Sequence, residues 1–373
     1  MSGPKELNFE DIQPRPQPET AAPSAPSNQQ PQSAPAASLL YASRFASQQY
    51  HPVVFIGSAA AGKTVLLLSL LAFFRATTNE RRLSAFFGDD LLRPNDREQI
   101  EQSRRYFNLT VSDYVRGTAD SATRIGSPMF IPVRISGENR PEVKFAFMES
   151  DGEWYQPDRR TGSSDFFPPF KPELEALLRQ YSDGISFVWV APHMAGSITG
   201  AGAARDAEEL TREADESLLG ALGNYEAIRR NNSARDSHML LVTKWDTYLS
   251  NLTPADIRLN LDRSNDSRVK HEVDGFLRQV YASSYARFQA LNSPNKVVFR
   301  YSAGLFASRD RFASDDIDEV LRTYPRDIWN WLYAGMQRGH EWSVEAGPLI
   351  PPPPRPKKTL LQQWDELLES ILG

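Results

Sequence analysis

A glycine-rich octapeptide is the segment of this sequence whose residue types and spacing are best suited to chemistry. Residues 57–64 match the pattern G-x-x-x-x-G-K-[ST] between two apolar runs. Glycines let the backbone wrap closely around a phosphate, and the loop amides and the following helix N-terminus attract its negative charge. We expect Lys63 to meet the β- and γ-phosphates of a nucleotide and the Thr64 hydroxyl to meet Mg²⁺. The predicted phosphate-binding residues are Gly57, Ser58, Ala59, Ala60, Ala61, Gly62, Lys63, Thr64 and Val65.

Three later segments also end apolar runs and could complete a nucleotide site. Residues 149–153 read Glu-Ser-Asp-Gly-Glu, residues 243–246 read Thr-Lys-Trp-Asp, and residues 302–304 read Ser-Ala-Gly. A carboxylate at Asp246 suits guanine because it accepts from N1–H and the 2-amino group. Adenine has an acceptor at N1 and no 2-amino group, so the same carboxylate would stay unpaired. An aspartate that contacts the base therefore favours a guanine nucleotide, and a charged strand-to-helix turn is the alternative interpretation of residues 243–246.

The order of these segments resembles that of P-loop GTPases of the translation-factor-related (TRAFAC) class. Thr-Lys-Trp-Asp is similar to the N-K-x-D motif, with threonine at the first position, and Ser-Ala-Gly is similar to S-A-K. Glu-Ser-Asp-Gly-Glu is similar to the D-x-A-G-E form of D-x-x-G, with Glu149 in place of the aspartate. Among these proteins the chain looks most like the bacterial double-GTPase group. The resemblance covers about residues 50–340.

The resemblance implies a role for each matching residue. Glu149 would hold Mg²⁺ through water, Gly152 would sense the γ-phosphate, and Glu153 would position the attacking water. Asp151 stands at the motif's alanine, so the metal contact stays open between Glu149 and Asp151. The catalytic residues implied are Lys63, Gly152 and Glu153; the base-binding residues are Thr243, Lys244, Asp246, Ser302 and Ala303; and the metal-binding residues are Thr64, Thr123, Glu149 and Asp151.

Two long loops are expected to be the nucleotide-sensing switches of such a protein. The first lies within residues 76–128, where Thr123 is the candidate for the threonine that meets Mg²⁺ and Thr118 is second. The second covers residues 152–170, whose aromatic side chains form either a movable surface or part of the core.

Short β-rich runs alternate with helical patterns along the middle of the chain. This pattern predicts an α/β fold, P-loop GTPase-like, in which a mostly parallel sheet is covered by helices on both faces. We assign this domain, with its inserts, to residues 46–345. The predicted strands are 51–56, 129–135, 143–148, 185–191, 238–243 and 296–301, and the predicted helices are 64–74, 206–230, 274–291 and 315–337.

Both ends of the sequence differ in composition from this domain. Residues 1–45 are rich in Pro, Gln, Ser and Ala and are expected to be disordered. Residues 346–358 read as a polyproline spacer, and residues 359–373 as an amphipathic helix. This helix would either dock on a protein partner or fold back on its own domain.

Composition excludes several classes of function. The 373 residues contain 42 Lys and Arg against 47 Asp and Glu, so no general basic surface for nucleic acid is expected. With no cysteine, disulfides and thiolate chemistry are excluded, which fits a reducing cytoplasm. No apolar run is long enough for stable membrane insertion. The sequence does not indicate an oligomeric state.

The leading hypothesis is a GTP-binding molecular switch that uses Mg²⁺, hydrolyses GTP to GDP slowly and signals to protein partners. Slow turnover is expected because Glu153 fits the water-positioning role less well than glutamine. A non-hydrolysing nucleotide-binding scaffold that acts through its C-terminal helix is the first alternative, and an ATPase is the second.

Overall fold

The computed structural model describes residues 44–59, 61–76, 83–91, 97–110, 129–137, 140–149, 170–193, 203–245, 267–301, 314–342 and 347–350. The predicted amphipathic helix, residues 359–373, lies outside these ranges. So do nearly all of the predicted N-terminal tail and the proline run that begins at residue 351.

Seven strands form one sheet, and seven α-helices of nine or more residues connect or cover them within the described residues. The strands are β1 (Tyr50–Ile56), β2 (Leu83–Phe87), β3 (Met129–Gly137), β4 (Arg140–Glu149), β5 (Ser186–Pro192), β6 (Ser237–Thr243) and β7 (Lys296–Arg300). The helices are α1 (Lys63–Ala76), α2 (Arg97–Arg105), α3 (Pro172–Gln180), α4 (Ala203–Arg229), α5 (Ser267–Val280), α6 (Ala282–Ala290) and α7 (Ser314–Gly339), and a π-helical turn, Tyr106–Thr110, follows α2.

The strand order is β2-β3-β4-β1-β5-β6-β7. Strands β4, β1, β5, β6 and β7 run parallel, whereas β3 is antiparallel to both β4 and β2. The chain reaches β4 on one side of β1 and β5 on the other, so the carboxyl end of β1 is a topological switch point. Open α/β sheets bind their ligands at such points. The α/β class with a mostly parallel sheet, predicted from the alternating pattern, is confirmed.

Helices cover both faces of this sheet. On one face, the α7 residue Trp329 packs edge-on against the β4 rings Phe145 and Phe147. On the other face, Tyr225 of α4 packs against the β5 ring Phe187 at a centroid distance of 4.8 Å. The strands β1, β5 and β6 are buried along their whole length, which explains their nearly continuous apolar sequences.

The structure differs from the sequence-based expectation in the long helix 274–291. Two helices, α5 and α6, occupy this segment, and they meet at Tyr281, whose φ of −117° and ψ of 42° are not helical. The Tyr281 hydroxyl donates to the Pro192 carbonyl oxygen at 2.6 Å, so the break lets this side chain reach the end of β5. The apolar periodicity continues across the break, which is why the sequence pattern does not reveal it.

The folded body also extends past the boundaries chosen from composition. Phe45, which the sequence placed in the tail, is fully buried and lies edge-on to Phe130. At the other end, Ile350 is buried beside α7, where its amide donates to the Asn330 side chain at 2.7 Å. Phe45 and Ile350 thus belong to the buried core, a contribution of single residues that average composition does not detect.

Candidate functional site

The glycine-rich loop joins the carboxyl end of β1 to α1. A Cβ atom on Gly57 would lie 2.8 Å from the Val190 carbonyl oxygen, so only glycine lets β5 approach the loop this closely. Gly62 has a φ of +89°, a left-handed conformation that glycine adopts without strain. The Leu66 amide donates to the Gly62 carbonyl oxygen at 2.9 Å, which begins the hydrogen bonding of α1. The two glycines therefore set the shape of the loop.

Lys63 folds back over the loop that precedes it. Its ammonium donates to the carbonyl oxygens of Gly57 at 2.9 Å and of Ser58 at 3.0 Å, and the residue is buried. A buried ammonium group needs such acceptors to offset the loss of water. The loop thus holds a full positive charge beside its own amides, an arrangement suited to phosphate oxygens.

The loop also meets the end of β4. The Thr64 hydroxyl donates to Glu149 Oε1 at 2.5 Å, and Glu149 is 2% exposed. These two residues are 85 positions apart in sequence, and they meet because β4 is the direct neighbour of β1. Two of the predicted metal-binding residues are therefore brought together.

This pair is chemically suited to Mg²⁺. Hydroxyl and carboxylate oxygens are the hard donors that Mg²⁺ accepts, and Mg²⁺ commonly binds one or two protein groups while phosphate and water supply the rest. In the described part of the chain, no group of three or more His, Asp or Glu residues could form a separate metal site. Thr64 and Glu149 would hold the ion together with oxygens of a bound nucleotide.

Tyr106 is a residue of this site that the sequence did not indicate. It begins the π-helical turn after α2, is 5% exposed, and lies beside the Thr64 hydroxyl. Burial raises the pKa of Tyr106 well above its ordinary value, and the nearby charge of Glu149 raises it further. No motif surrounds this tyrosine; the only sequence signal is an aromatic pair, Tyr106-Phe107, after the charged stretch of α2.

A second contact links the loop to the carboxyl end of β6. The Thr243 hydroxyl donates to the Ala61 carbonyl oxygen at 2.6 Å, across 182 positions of sequence. The next residue, Lys244, has a φ of +57°, a conformation that is uncommon for residues with a side chain. The first residue of Thr-Lys-Trp-Asp is therefore positioned directly against the phosphate loop.

The ends of β6 and β7 are also held together. The Tyr301 amide donates to the Val242 carbonyl oxygen at 2.7 Å, and the Trp245 amide donates to the Tyr301 carbonyl oxygen at 3.1 Å. Behind them, the Arg300 guanidinium lies 6.0 Å from the centre of the Trp245 ring. The carboxyl ends of β6 and β7, which precede the two segments that the resemblance assigns to the base, thus lie side by side.

Several predicted site residues fall outside the described ranges. The described set contains all of the predicted phosphate-binding residues except Ala60, together with Glu149, Thr243 and Lys244. The residues outside it are Ala60, Thr123, Asp151, Gly152, Glu153, Asp246, Ser302 and Ala303. The choice between Glu149 and Asp151 as metal contact and the roles of Gly152 and Glu153 stay predictions.

Comparison with known proteins returns distant structural similarity only. No protein-family model matches the chain, and no curated protein does. A solved structure of the signal recognition particle receptor complex SRb-GTP/SRX from Chaetomium thermophilum shares 14% identity, with a TM-score of 0.29, over 68% of this chain and 91% of that one.

Two further solved structures are similar at the same level. The Ski7 GTPase-like domain of S. cerevisiae, bound to GDP and inorganic phosphate, has 12% identity and a TM-score of 0.30 over 71% of this chain and 46% of that one. Sup35 complexed with GDP has 12% identity and a TM-score of 0.23 over 68% and 37%. The chain thus spans less than half of these two proteins. Values this low transfer no residue role.

Among the helices of the described ranges, none combines the length and the apolar character that a bilayer span requires.

Proposed function

We propose that this chain is a guanine-nucleotide-binding molecular switch that binds GTP with Mg²⁺, hydrolyses it slowly to GDP and signals to a protein partner through residues 359–373. The observation that carries this proposal is the 2.6 Å hydrogen bond from Thr243 to the Ala61 carbonyl oxygen. It joins the phosphate loop to the segment whose sequence suits guanine. A nucleotide spans from its base through the ribose to its phosphates, so its two sites must be near neighbours in the fold, and a contact across 182 positions supports that arrangement.

The loop residues would do the binding. The amides of residues 57–63 and the N-terminus of α1 would surround the β-phosphate, and Lys63 would exchange its carbonyl acceptors for phosphate oxygens. Mg²⁺, held by Thr64 and Glu149, would neutralise charge that develops on the phosphates. Glu153 would orient the attacking water, and Gly152 would report the γ-phosphate to the following loop.

A specific contact favours the non-hydrolysing scaffold as second candidate. Glu149 is one methylene longer than the aspartate of the D-x-x-G motif, and its carboxylate already touches the Thr64 hydroxyl at 2.5 Å. A metal ion bound by this longer side chain would sit differently against the phosphates, which would reduce hydrolysis more than binding.

The first prediction tests binding through Lys63. Calorimetry with GTP, GDP and ATP in Mg²⁺ should show uptake of the guanine nucleotides, and Lys63→Met should weaken GTP binding about tenfold to a hundredfold because a charge-assisted contact is lost. Lys171→Met, which alters an exposed lysine before α3, is the matched control and should bind as wild type.

The outcomes separate the candidates. Phosphate release from GTP that disappears in Lys63→Met supports the switch, whereas tight binding without release supports the scaffold. Preference for ATP supports the ATPase. A wild-type protein that takes up no guanine nucleotide contradicts the proposal.

A further inference from the structure

Tyr106 lies at the proposed metal site but belongs to none of the motifs. It is brought there by the π-helical turn, Tyr106–Thr110, which directly follows α2. A π-helical turn contains one residue more than an α-helical turn, and such turns often re-aim a side chain at a functional site. The position of the Tyr106 side chain therefore depends on this local change of helix type.

The turn is firmly attached to the sheet. The Ser103 hydroxyl in α2 donates to the Phe130 carbonyl oxygen of β3 at 3.0 Å. Phe107 is buried and packs on the Phe87 ring of β2 at a centroid distance of 6.0 Å. The Arg104 guanidinium lies 5.6 Å from the centre of the same Phe87 ring. Tyr106 thus enters the site from a packed element.

The Tyr106 hydroxyl is buried and makes no well-formed hydrogen bond within the described residues. Its neighbour is the Thr64 hydroxyl, which donates its own hydrogen to Glu149 and can offer Tyr106 only its oxygen, the atom that would bind the proposed Mg²⁺. With that oxygen on the ion, the Tyr106 hydroxyl would need another acceptor. A buried hydroxyl with its donor unused costs free energy, and such a group in a native fold usually has a ligand, ion or water as partner. The hydroxyl of Ser58, in the phosphate loop itself, is likewise buried without a partner in the described part of the chain.

We propose that Tyr106 is a ligand-binding residue whose hydroxyl donates a hydrogen bond to an oxygen of the bound nucleotide–magnesium complex. This inference rests on the proposed function and extends it to the segment between α1 and β3. The acceptor is either a γ-phosphate oxygen or a water bound to Mg²⁺, since both present electron-rich oxygens beside Thr64. In either case α2 and its π-helical turn sense the ligand directly.

The test compares Tyr106→Phe with Tyr181→Phe. Tyr181 is an apt control because its hydroxyl is also buried and also without a partner among the described residues. It lies, however, beside Phe45 and His340 rather than at the phosphate loop. Both substitutions keep the ring, so both proteins should fold, which thermal unfolding verifies.

Binding of GTP and GDP is measured by calorimetry with Mg²⁺ and with EDTA. Tyr106→Phe should weaken binding about tenfold or more, the effect of a lost hydrogen bond to a charged group, and Tyr181→Phe should not. A loss with GTP alone, in both buffers, identifies the γ-phosphate. A loss with both nucleotides in Mg²⁺ alone identifies the metal-bound water.

Two results overturn the inference. Affinities of Tyr106→Phe equal to wild type in every arm show that the hydroxyl meets no ligand oxygen. An equal loss in every arm, including GDP in EDTA, shows that the tyrosine only supports the loop. Failure of the proposed function itself is distinct, because wild-type protein would then bind no guanine nucleotide.

Discussion

The two ends of the parallel sheet treat their buried polar groups in different ways. At the carboxyl end, the hydroxyls of Ser58 and Tyr106 are buried beside the phosphate loop and make no well-formed hydrogen bond in the described residues. At the amino end, the Tyr181 and Ser237 hydroxyls are also buried without partners in the described residues, but the buried charges there are enclosed in a complete hydrogen-bond network. Under the proposed function, the open hydroxyls at the phosphate loop would serve a ligand, whereas the closed network of charges at the amino end serves stability.

Arg229 is the centre of the network at the amino end. It forms a bidentate ion pair with Asp236, at 3.0 and 2.6 Å, and both side chains are fully buried. Its remaining N–H groups donate to the carbonyl oxygens of Leu178, Tyr181 and Asp183. All five donors of the guanidinium are therefore used, which is the condition under which a buried charge is tolerated.

The network continues through His238 to β5. The Trp189 indole donates to His238 Nδ1 at 3.2 Å, so the ring hydrogen must lie on Nε2, which faces the Tyr225 hydroxyl at 3.1 Å. Tyr225 in turn donates to Asp236 at 2.9 Å. Each hydrogen in this series of hydrogen bonds has one acceptor. A ligand would find no unused donor among these residues, in contrast to the phosphate loop.

The largest effect is expected for Arg229→Met. It leaves Asp236 buried without its charge partner, so the free energy of unfolding should fall by about 3–5 kcal/mol in urea denaturation. Nucleotide affinity of the folded fraction should stay unchanged, because the change is at the end of the sheet opposite the phosphate loop.

A matched control for this variant is Arg287→Met. The Arg287–Glu226 pair is 40% and 36% exposed, and exposed pairs contribute about 1 kcal/mol or less. Adding Asp236→Asn to Arg229→Met should recover part of the loss, since it removes the unpaired charge. Equal losses for the two arginine variants would show that burial does not distinguish them.

A smaller loss of stability is expected when the pH is lowered, because His238 is buried in its neutral form. Burial, with contributions from Lys296 and Arg229, lowers the pKa of His238 to about 3. Between this value and the ordinary value of about 6.5, the unfolded chain binds the proton and the folded chain does not. Stability therefore falls as the pH falls, by about 2 kcal/mol from this histidine between pH 7 and pH 5.

Urea denaturation at pH 7, 6 and 5 measures this contribution. His238→Gln should lose less stability than wild type over this range, by about 2 kcal/mol, although it starts from a lower value at pH 7. His271→Gln, at an exposed position of α5, should keep the wild-type pH dependence. If the stability of His238→Gln fell with pH as steeply as that of wild type, groups other than His238 would cause the acid sensitivity.

The sequence predicts one end of the sheet much better than the other. The phosphate loop is a contiguous pattern whose glycines, lysine and threonine are local requirements, and the strand and helix around it follow from apolar periodicity. The contacts of Thr64 with Glu149 and of Thr243 with Ala61 join segments 85 and 182 positions apart. They could be anticipated only through a resemblance that fixes strand order.

The parts that the sequence did not predict have physical reasons in common. Strand β2 is five residues long and half-buried, too short for periodicity to stand out beside its polar neighbours. Tyr106 depends on a π-helical turn, whose register no residue pattern specifies. The Arg229 network forms between helix and strand ends, and its members look like ordinary surface polar residues until the fold buries them.

The smallest change in stability is expected for a substitution of Thr243. This variant tests whether a buried hydrogen bond at the carboxyl end of the sheet serves nucleotide binding more than stability. Thr243→Val keeps the shape of the side chain but leaves the buried Ala61 carbonyl oxygen without its donor. If this bond serves mainly to align the base segment with the phosphate loop, guanine-nucleotide affinity should fall about fivefold while the free energy of unfolding falls by about 1 kcal/mol. Thr243→Ser retains the hydroxyl and should preserve both. If Thr243→Val instead lost as much stability as Arg229→Met while nucleotide affinity stayed unchanged, Thr243 would be a structural residue. The carboxyl end of the sheet would then also contain polar bonds that serve stability and not the ligand.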